Sequence, residues 1–107
     1  MPSLLAGKPG ACYACCVWFE WDEPKAAGNV RKHGVTFEEA ATCFYDPHQV
    51  AFEDPDHSDE EDREILIAHS ERGSLLLLVY TLRGEVIRII SARRTTGKET
   101  RTYERGI

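Results

Sequence analysis

Apolar and polar positions follow two different periods along this chain, and the switch between them near Arg63 predicts its architecture. Before the switch the spacing is helical. Val17 to Trp21 reads as a short strand, Asp22 as an N-cap, and Pro24 as a first-turn residue whose missing amide costs no hydrogen bond. The helix that follows runs to about His33, with Ala26, Ala27 and Val30 as its inward stripe and Gly34 as its left-handed stop. Thr36 opens a second helix, in which Glu39 is placed to complete a capping box while Val35 and Ala40 occupy the hydrophobic-staple positions. Phe37, Ala40, Ala41 and Phe44 keep the spacing of a buried face until Asp46-Pro47 ends the helix. Gln49 to Phe52 has the pattern of a short strand. The acidic stretch from Glu53 to Asp62, which contains Pro55, reads as a loop.

After the switch the pattern is that of strands. Arg63–Ser70, Ser74–Leu82 and Glu85–Ser91 are β-prone runs separated by Glu71-Arg72-Gly73 and Arg83-Gly84, gaps short enough for a three-stranded antiparallel meander. Leu75 to Tyr80 is apolar on both faces, which marks the middle run as the central strand. A last helix from about Thr96 to Arg105 completes the order β-α-α-β-β-β-α, an α+β fold with a small antiparallel sheet packed by helices. Residues 1–16, with Pro2, Gly7, Pro9 and Gly10 and no sustained period, read as a poorly ordered extension to a domain at 17–107.

A length of 107 residues at 42% hydrophobic content suits one domain with one core. The longest apolar runs fall well short of the roughly 20 residues of a membrane span. No signal-peptide pattern opens the chain, and three of the four cysteines crowd between Cys12 and Cys16, so a reducing cytoplasm is the expected setting. The net charge of -5 conceals an asymmetry. Residues 1–62 hold 4 Lys/Arg and 13 Asp/Glu, giving -9, whereas residues 63–107 hold 9 and 5, giving +4. The basic half is nearly all arginine, the side chain best shaped for bidentate phosphate contact; the bland alternative is an ordinary solvated surface.

Several segments in unbroken order then carry a resemblance: Phe19-Glu20-Trp21-Asp22, Lys25, Asn29, Lys32-His33-Gly34-Val35, Phe37-Glu38-Glu39-Ala40, Asp46-Pro47, Arg63, Arg88 through Arg93, Glu99 and Tyr103. Together, over about residues 19–104, they resemble the BrnT-type ribonuclease toxins of type II toxin–antitoxin systems. The resemblance implies a RelE-like fold, cleavage of RNA and inhibition of translation. It also implies a cognate antitoxin carrying a ribbon-helix-helix DNA-binding domain, with a heterotetramer assembled through that antitoxin. Residues 1–18 lie outside the pattern, Ala68 stands where the family commonly has glycine, and Thr95 where it commonly has alanine.

RNA is cut without a metal when a base activates the 2′-hydroxyl, cations stabilise the charge gathering on phosphorus, and an acid protonates the leaving 5′-oxygen. Within the matched segments the catalytic candidates are His33, Arg63, Arg88 and Arg93, and the RNA-binding candidates are Lys25, Lys32 and Tyr103, joined by Arg83, a turn residue that is either electrostatic or simply solvated. Histidine as a residue type suits proton transfer near neutrality, which makes His33 a candidate, but a histidine ending a helix also suits the negative dipole end. Lys25 and Lys32, seven apart, share one helix face. Arg88 interrupts an apolar strand on the face of Val86 and Ile90, so it must either face a cleft or pair with a carboxylate such as Glu64 or Glu99. Tyr103 is placed to stack on a base, to act as an acid, or to close the core from the last helix, the commonest fate of such a tyrosine.

No metal or other cofactor is expected. Cys12-x-x-Cys15 lacks a second pair at zinc-finger spacing and would have to borrow Cys43 or His48, and the acidic loop lacks the glycine and final glutamate of an EF-hand. The alternative from another class is a non-catalytic nucleic-acid or protein-binding module, or an inactive degenerate toxin.

Overall fold

The computed structural model describes residues 18–53 and 63–106. The expected N-terminal extension, the cysteines at 12, 15 and 16, and the acidic loop beyond residue 53 lie outside the described residues.

Five strands form one sheet: β1 (Trp18–Glu20), β2 (Val50–Glu53), β3 (Arg63–His69), β4 (Leu75–Arg83) and β5 (Val86–Arg94). The expected meander is β3-β4-β5, closed by turns in which Gly73 and Gly84 take φ of 85° and 64°, values that favour glycine. The run that is apolar on both faces, β4, is indeed the middle strand of the order β1-β5-β4-β3-β2. The stretch suggested at Gln49 to Phe52 is strand β2, one more than the seven-element order counts, and it pairs antiparallel with β3. β1 adds to the far edge parallel to β5, with Glu20 opposite Arg88.

Helices α1 (Glu23–His33) and α2 (Phe37–Thr42), the latter prolonged by a 3-10 turn at Cys43–Tyr45, cover one face of the sheet. Phe37, Ala40 and Cys43 pack there against Leu66, Ala68, Leu76, Leu78, Tyr80, Ile89 and Ala92. Edge-on ring contacts, Trp21 to Phe37 at 5.8 Å and Phe44 to Tyr80 at 5.0 Å, tie the helical layer to the sheet. Truncating a fully buried side chain such as Leu78 to alanine would cost about 2–5 kcal/mol.

Two local expectations change. Val30 is 42% exposed and Ala27 is also outward, whereas Asn29 is buried. The Asn29 amide donates to the carbonyls of Ala92 (2.8 Å) and Val35 (3.0 Å) and accepts from the Ala92 amide (3.2 Å). It thus continues the edge of β5 where β1 has ended, and satisfying three buried backbone groups outweighs the apolarity of Val30 in orienting the helix. Thr36 caps α2 through the Glu39 amide, but the Glu39 carboxylate accepts from Ser70 Oγ (2.7 Å) instead of closing the box. The complete capping box, Thr96 with Glu99, opens α3 (Gly97–Arg105).

α3 lies against the other face. Arg93 Nη1 and Nη2 each donate to the Glu99 carboxylate at 2.9 Å, and Tyr103 reaches His69 on β3. Beneath it Val50, Ile67 and Leu77 are buried outside the main cluster. The remainder of that face carries no helix among the described residues.

Candidate active site

Strand register settles which side chains share the face that α1 and α2 leave free. Directly opposed residues point the same way, so Arg63, Thr81, Arg88 and Glu20 form one row across β3, β4, β5 and β1. Arg83 lies in the neighbouring row, opposite Val86, which in turn faces Trp18. Arg93 is opposite Leu77, on the side where α3 begins.

Arg88 and Arg93 are five residues apart, and a regular strand would send them to opposite faces. A β-bulge prevents this. Val79 pairs with Ser91 while Tyr80 pairs with Ile89, so Ile90 is the extra residue and the alternation resets behind it. Ile89 and Ala92 consequently both enter the helical core, leaving Arg88, Ser91 and Arg93 on the other face.

All four meander arginines singled out in the sequence, Arg63, Arg83, Arg88 and Arg93, therefore share one face. Among the described residues, Arg88 and Arg93 pair with carboxylates. Arg88 donates to Glu20 Oε2 at 3.1 Å, a partner not anticipated in place of Glu64 or Glu99. Glu64 instead accepts from the Tyr80 hydroxyl on the helical side at 2.8 Å. Arg93 holds Glu99 in a two-bond fork, which depresses the Glu99 pKa and raises that of Arg93. Trp18 and Phe52, 40% and 41% exposed, present rings at the two edge strands of the same face.

The other candidates are not drawn into this row. His33, Lys25 and Lys32 are exposed on α1, the helix that Asn29 ties to the edge of β5 at Ala92. Tyr103 belongs to a clasp at the covered end, where its hydroxyl donates to Asp46 Oδ2 at 2.7 Å and lies 3.1 Å from His69 Nδ1. Burial, then the bond to the Asp46 carboxylate, pushes Tyr103 up to about 12. Burial would raise Asp46, but the amides of His69 and His48 and the Tyr103 hydroxyl outweigh it and hold the carboxyl below its ordinary value. A depression beside the clasp, lined by Pro47, His48, Gln49, Val50, Tyr103, Glu104 and Gly106, holds none of the four arginines. Cys43, named as a ligand that a zinc site might borrow, is fully buried with its thiol on the Ala68 carbonyl, and burial pushes it up to about 12.

Glu20, Trp18, Phe52, Asp46 and His69 were not singled out from the sequence. Only for Glu20 was there a usable signal: a lone acid alternating with Phe19 in one short strand complements the lone arginine of another.

Comparison with known proteins finds a likeness of fold and a family match. The 1.1 Å crystal structure of the Brucella abortus ribonuclease toxin BrnT superposes with a TM-score of 0.57 at 23% sequence identity, covering 71% of this chain and 92% of that one, a likeness of fold. No curated protein sequence matches. The profile described as ribonuclease toxin, BrnT, of type II toxin-antitoxin system matches residues 21–99. With well over half of its length inside that match, the chain belongs to the BrnT family of type II toxin–antitoxin ribonuclease toxins.

Proposed function

We propose that this chain is an endoribonuclease that cuts RNA without a metal and thereby inhibits translation, and that its active face is the arginine-bearing side of the sheet. The observation that carries the reading is that Arg63, Arg83 and Arg88 occupy adjacent rows of one sheet face, with Arg93 farther along the same face because of the bulge at Ile90, in a member of a ribonuclease family. Arg63 and Arg88 stand two strands apart, about 10 Å at the backbone, close enough for their long side chains to meet at one phosphate. Guanidinium groups aimed there stabilise the charge that grows on the non-bridging oxygens as the 2′-oxygen attacks. Trp18 and Phe52 flank the arginines as stacking surfaces for unpaired bases, an arrangement suited to single-stranded RNA. Lys25, Lys32 and His33, exposed on α1 outside the arginine row, contribute to the general field and not to the reacting phosphate. Tyr103 serves by anchoring α3.

As a type II toxin the chain is matched to an antitoxin. The same reading gives that antitoxin a ribbon-helix-helix domain and the complex a heterotetrameric form built through it, in the cytoplasm. Among the described residues no helix is long and apolar enough to cross a membrane.

The test is cleavage of a defined single-stranded RNA by purified protein in EDTA, beside Arg88→Ala and Arg63→Ala checked for folding by circular dichroism. Wild-type cutting that falls about a hundredfold or more in the folded variants supports the assignment. Cutting that requires added divalent metal removes metal independence. RNA left intact with and without metal removes the enzyme reading in favour of a binding module, which the carboxylate pairing of Arg88 and Arg93 would then explain.

A further inference from the structure

We infer that Glu20 is the general base of the proposed reaction. The inference rests on the ribonuclease reading and assigns the proton-transfer step that four arginines cannot perform, since a guanidinium stays protonated at any working pH.

The assignment follows from the groups able to take a proton near the arginine row. His33 is exposed at the C-terminal end of α1, past Asn29, whose amide bonds the β5 edge at Ala92, four residues along that strand from Arg88. His69 shares the active face but lies six residues beyond Arg63 on β3, about 20 Å along the strands and about 14 Å across from Glu20. Glu99 is committed: Oε1 accepts from Arg93 and the Thr96 amide, and Oε2 accepts from Arg93. Asp46 is likewise occupied by the His48 and His69 amides and the Tyr103 hydroxyl. Glu64 points into the helical side.

Glu20 differs from all of these. It stands in the same row as Arg88 and Arg63, its side chain is 20% exposed, and Arg88 engages Oε2 alone. Among the described residues Oε1 has no hydrogen-bond partner. A carboxylate with one oxygen fixed by a phosphate-binding arginine and the other open is placed to accept a proton beside that phosphate. Among the described residues the charged groups around it are Arg88 from β5, Arg63 two strands beyond in the same row, Arg83 in the neighbouring row of β4, Glu85 in the β4–β5 turn, and Asp22 and Glu23 on its own side of the chain.

In the step itself Oε1 takes the proton of the 2′-hydroxyl, the 2′-oxygen forms a bond to phosphorus, and the bond from phosphorus to the 5′-oxygen breaks. The departing 5′-oxygen takes a proton from water, and Glu20 returns its own to solvent. The products are a 2′,3′-cyclic phosphate and a free 5′-hydroxyl, with no oxidant, reductant or metal required.

The experiment is single-turnover cleavage of an oligoribonucleotide in EDTA across acid to neutral pH, together with binding of the same oligonucleotide carrying a 2′-deoxy scissile nucleotide. Glu20→Gln preserves the shape of the side chain and the contact with Arg88 but removes the base. It is expected to lower the rate by about 10²–10⁴ and to abolish the acidic limb of the pH–rate profile, with Kd within about threefold of wild type. Glu20→Asp keeps the limb at a reduced rate. A wild type that cuts while Glu20→Gln cuts within about threefold of it, or keeps the acidic limb, overturns the assignment and leaves the ribonuclease reading standing. A wild type that never cuts overturns both. If Glu20→Gln does not fold, Glu20→Asp decides: a rate at least tenfold lower at unchanged Kd supports the base, and an unchanged rate overturns it.

Discussion

Replacing Asn29 with alanine tests whether one buried amide holds α1 to the edge of β5. The side chain is 7% exposed and makes three backbone hydrogen bonds, two to Ala92 and one to Val35. Alanine removes all three and leaves an N–H and two carbonyls without partners, each a loss of about 1–3 kcal/mol when the group stays dry. Water entering the vacated space recovers part of this, so the expected total is about 3–5 kcal/mol, a large share of the roughly 5–15 kcal/mol that holds a domain folded. For a chain of this size the melting temperature falls by about 4–8 °C per kcal/mol. Urea unfolding followed by far-ultraviolet circular dichroism measures the loss, with an unchanged m-value confirming that the same two states are compared. Asn29→Asp sharpens the test, because it keeps the acceptor for the Ala92 amide but sets an ionised carboxylate against two carbonyl oxygens. It should be at least as damaging at neutral pH and partly relieved in acid. A loss below about 1 kcal/mol for alanine, or an aspartate variant as stable as wild type, would refute the edge-capping role.

Acid should loosen α3. The pKa values of Asp46 and Glu99 are depressed in the folded chain, so the stability they contribute is present above the ordinary carboxylate range and is lost as pH falls through their folded values. The stability gap between wild type and Asp46→Asn should therefore be widest at neutral pH and narrow in acid, as followed by urea melts; a gap independent of pH opposes the clasp. Trp18→Ala and Phe52→Ala should each weaken single-stranded RNA binding by about 1–3 kcal/mol, roughly five- to 150-fold, with a smaller loss of stability than a core truncation, because both residues lie on edge strands outside the core cluster. Fluorescence anisotropy with a labelled oligonucleotide measures this, and equal affinities would remove the rings from the interface.

The meander was legible because its signals are local: three β-prone runs, two glycine-bearing gaps and a doubly apolar middle strand reproduce β3, β4 and β5 within a few residues. Helix starts at Asp22, Thr36 and Thr96 were legible for the same reason, since a cap is a bond across three residues. What escaped depends on distant partners. The inward turn of Asn29 is dictated by a strand edge 63 residues away, which no helical period records. The carboxylate partner of Arg88 lies 68 residues earlier, in a strand of three residues. Nor does the Ile89-Ile90 pair reveal which residue is the extra one, because both are equally apolar; that single residue decides the face on which Arg93 emerges. The arginines could thus be named from the sequence, whereas their common face could not be derived from it.

The parallel pairing of β1 with β5 also bears on the order in which the chain assembles. β3, β4 and β5 can zip together through two tight hairpins, each closing only a short loop. β1 must wait for a strand that begins at Val86, so its docking is the most non-local pairing in the sheet and carries the largest loop-closure penalty. A ribosome releasing this chain would thus hold Glu20 early but find nothing to place it against until residues 86–88 have emerged. If Glu20 and Arg88 act together in the site, they meet only once β5 has emerged, and a chain truncated before β5 would be harmless to the RNA around it.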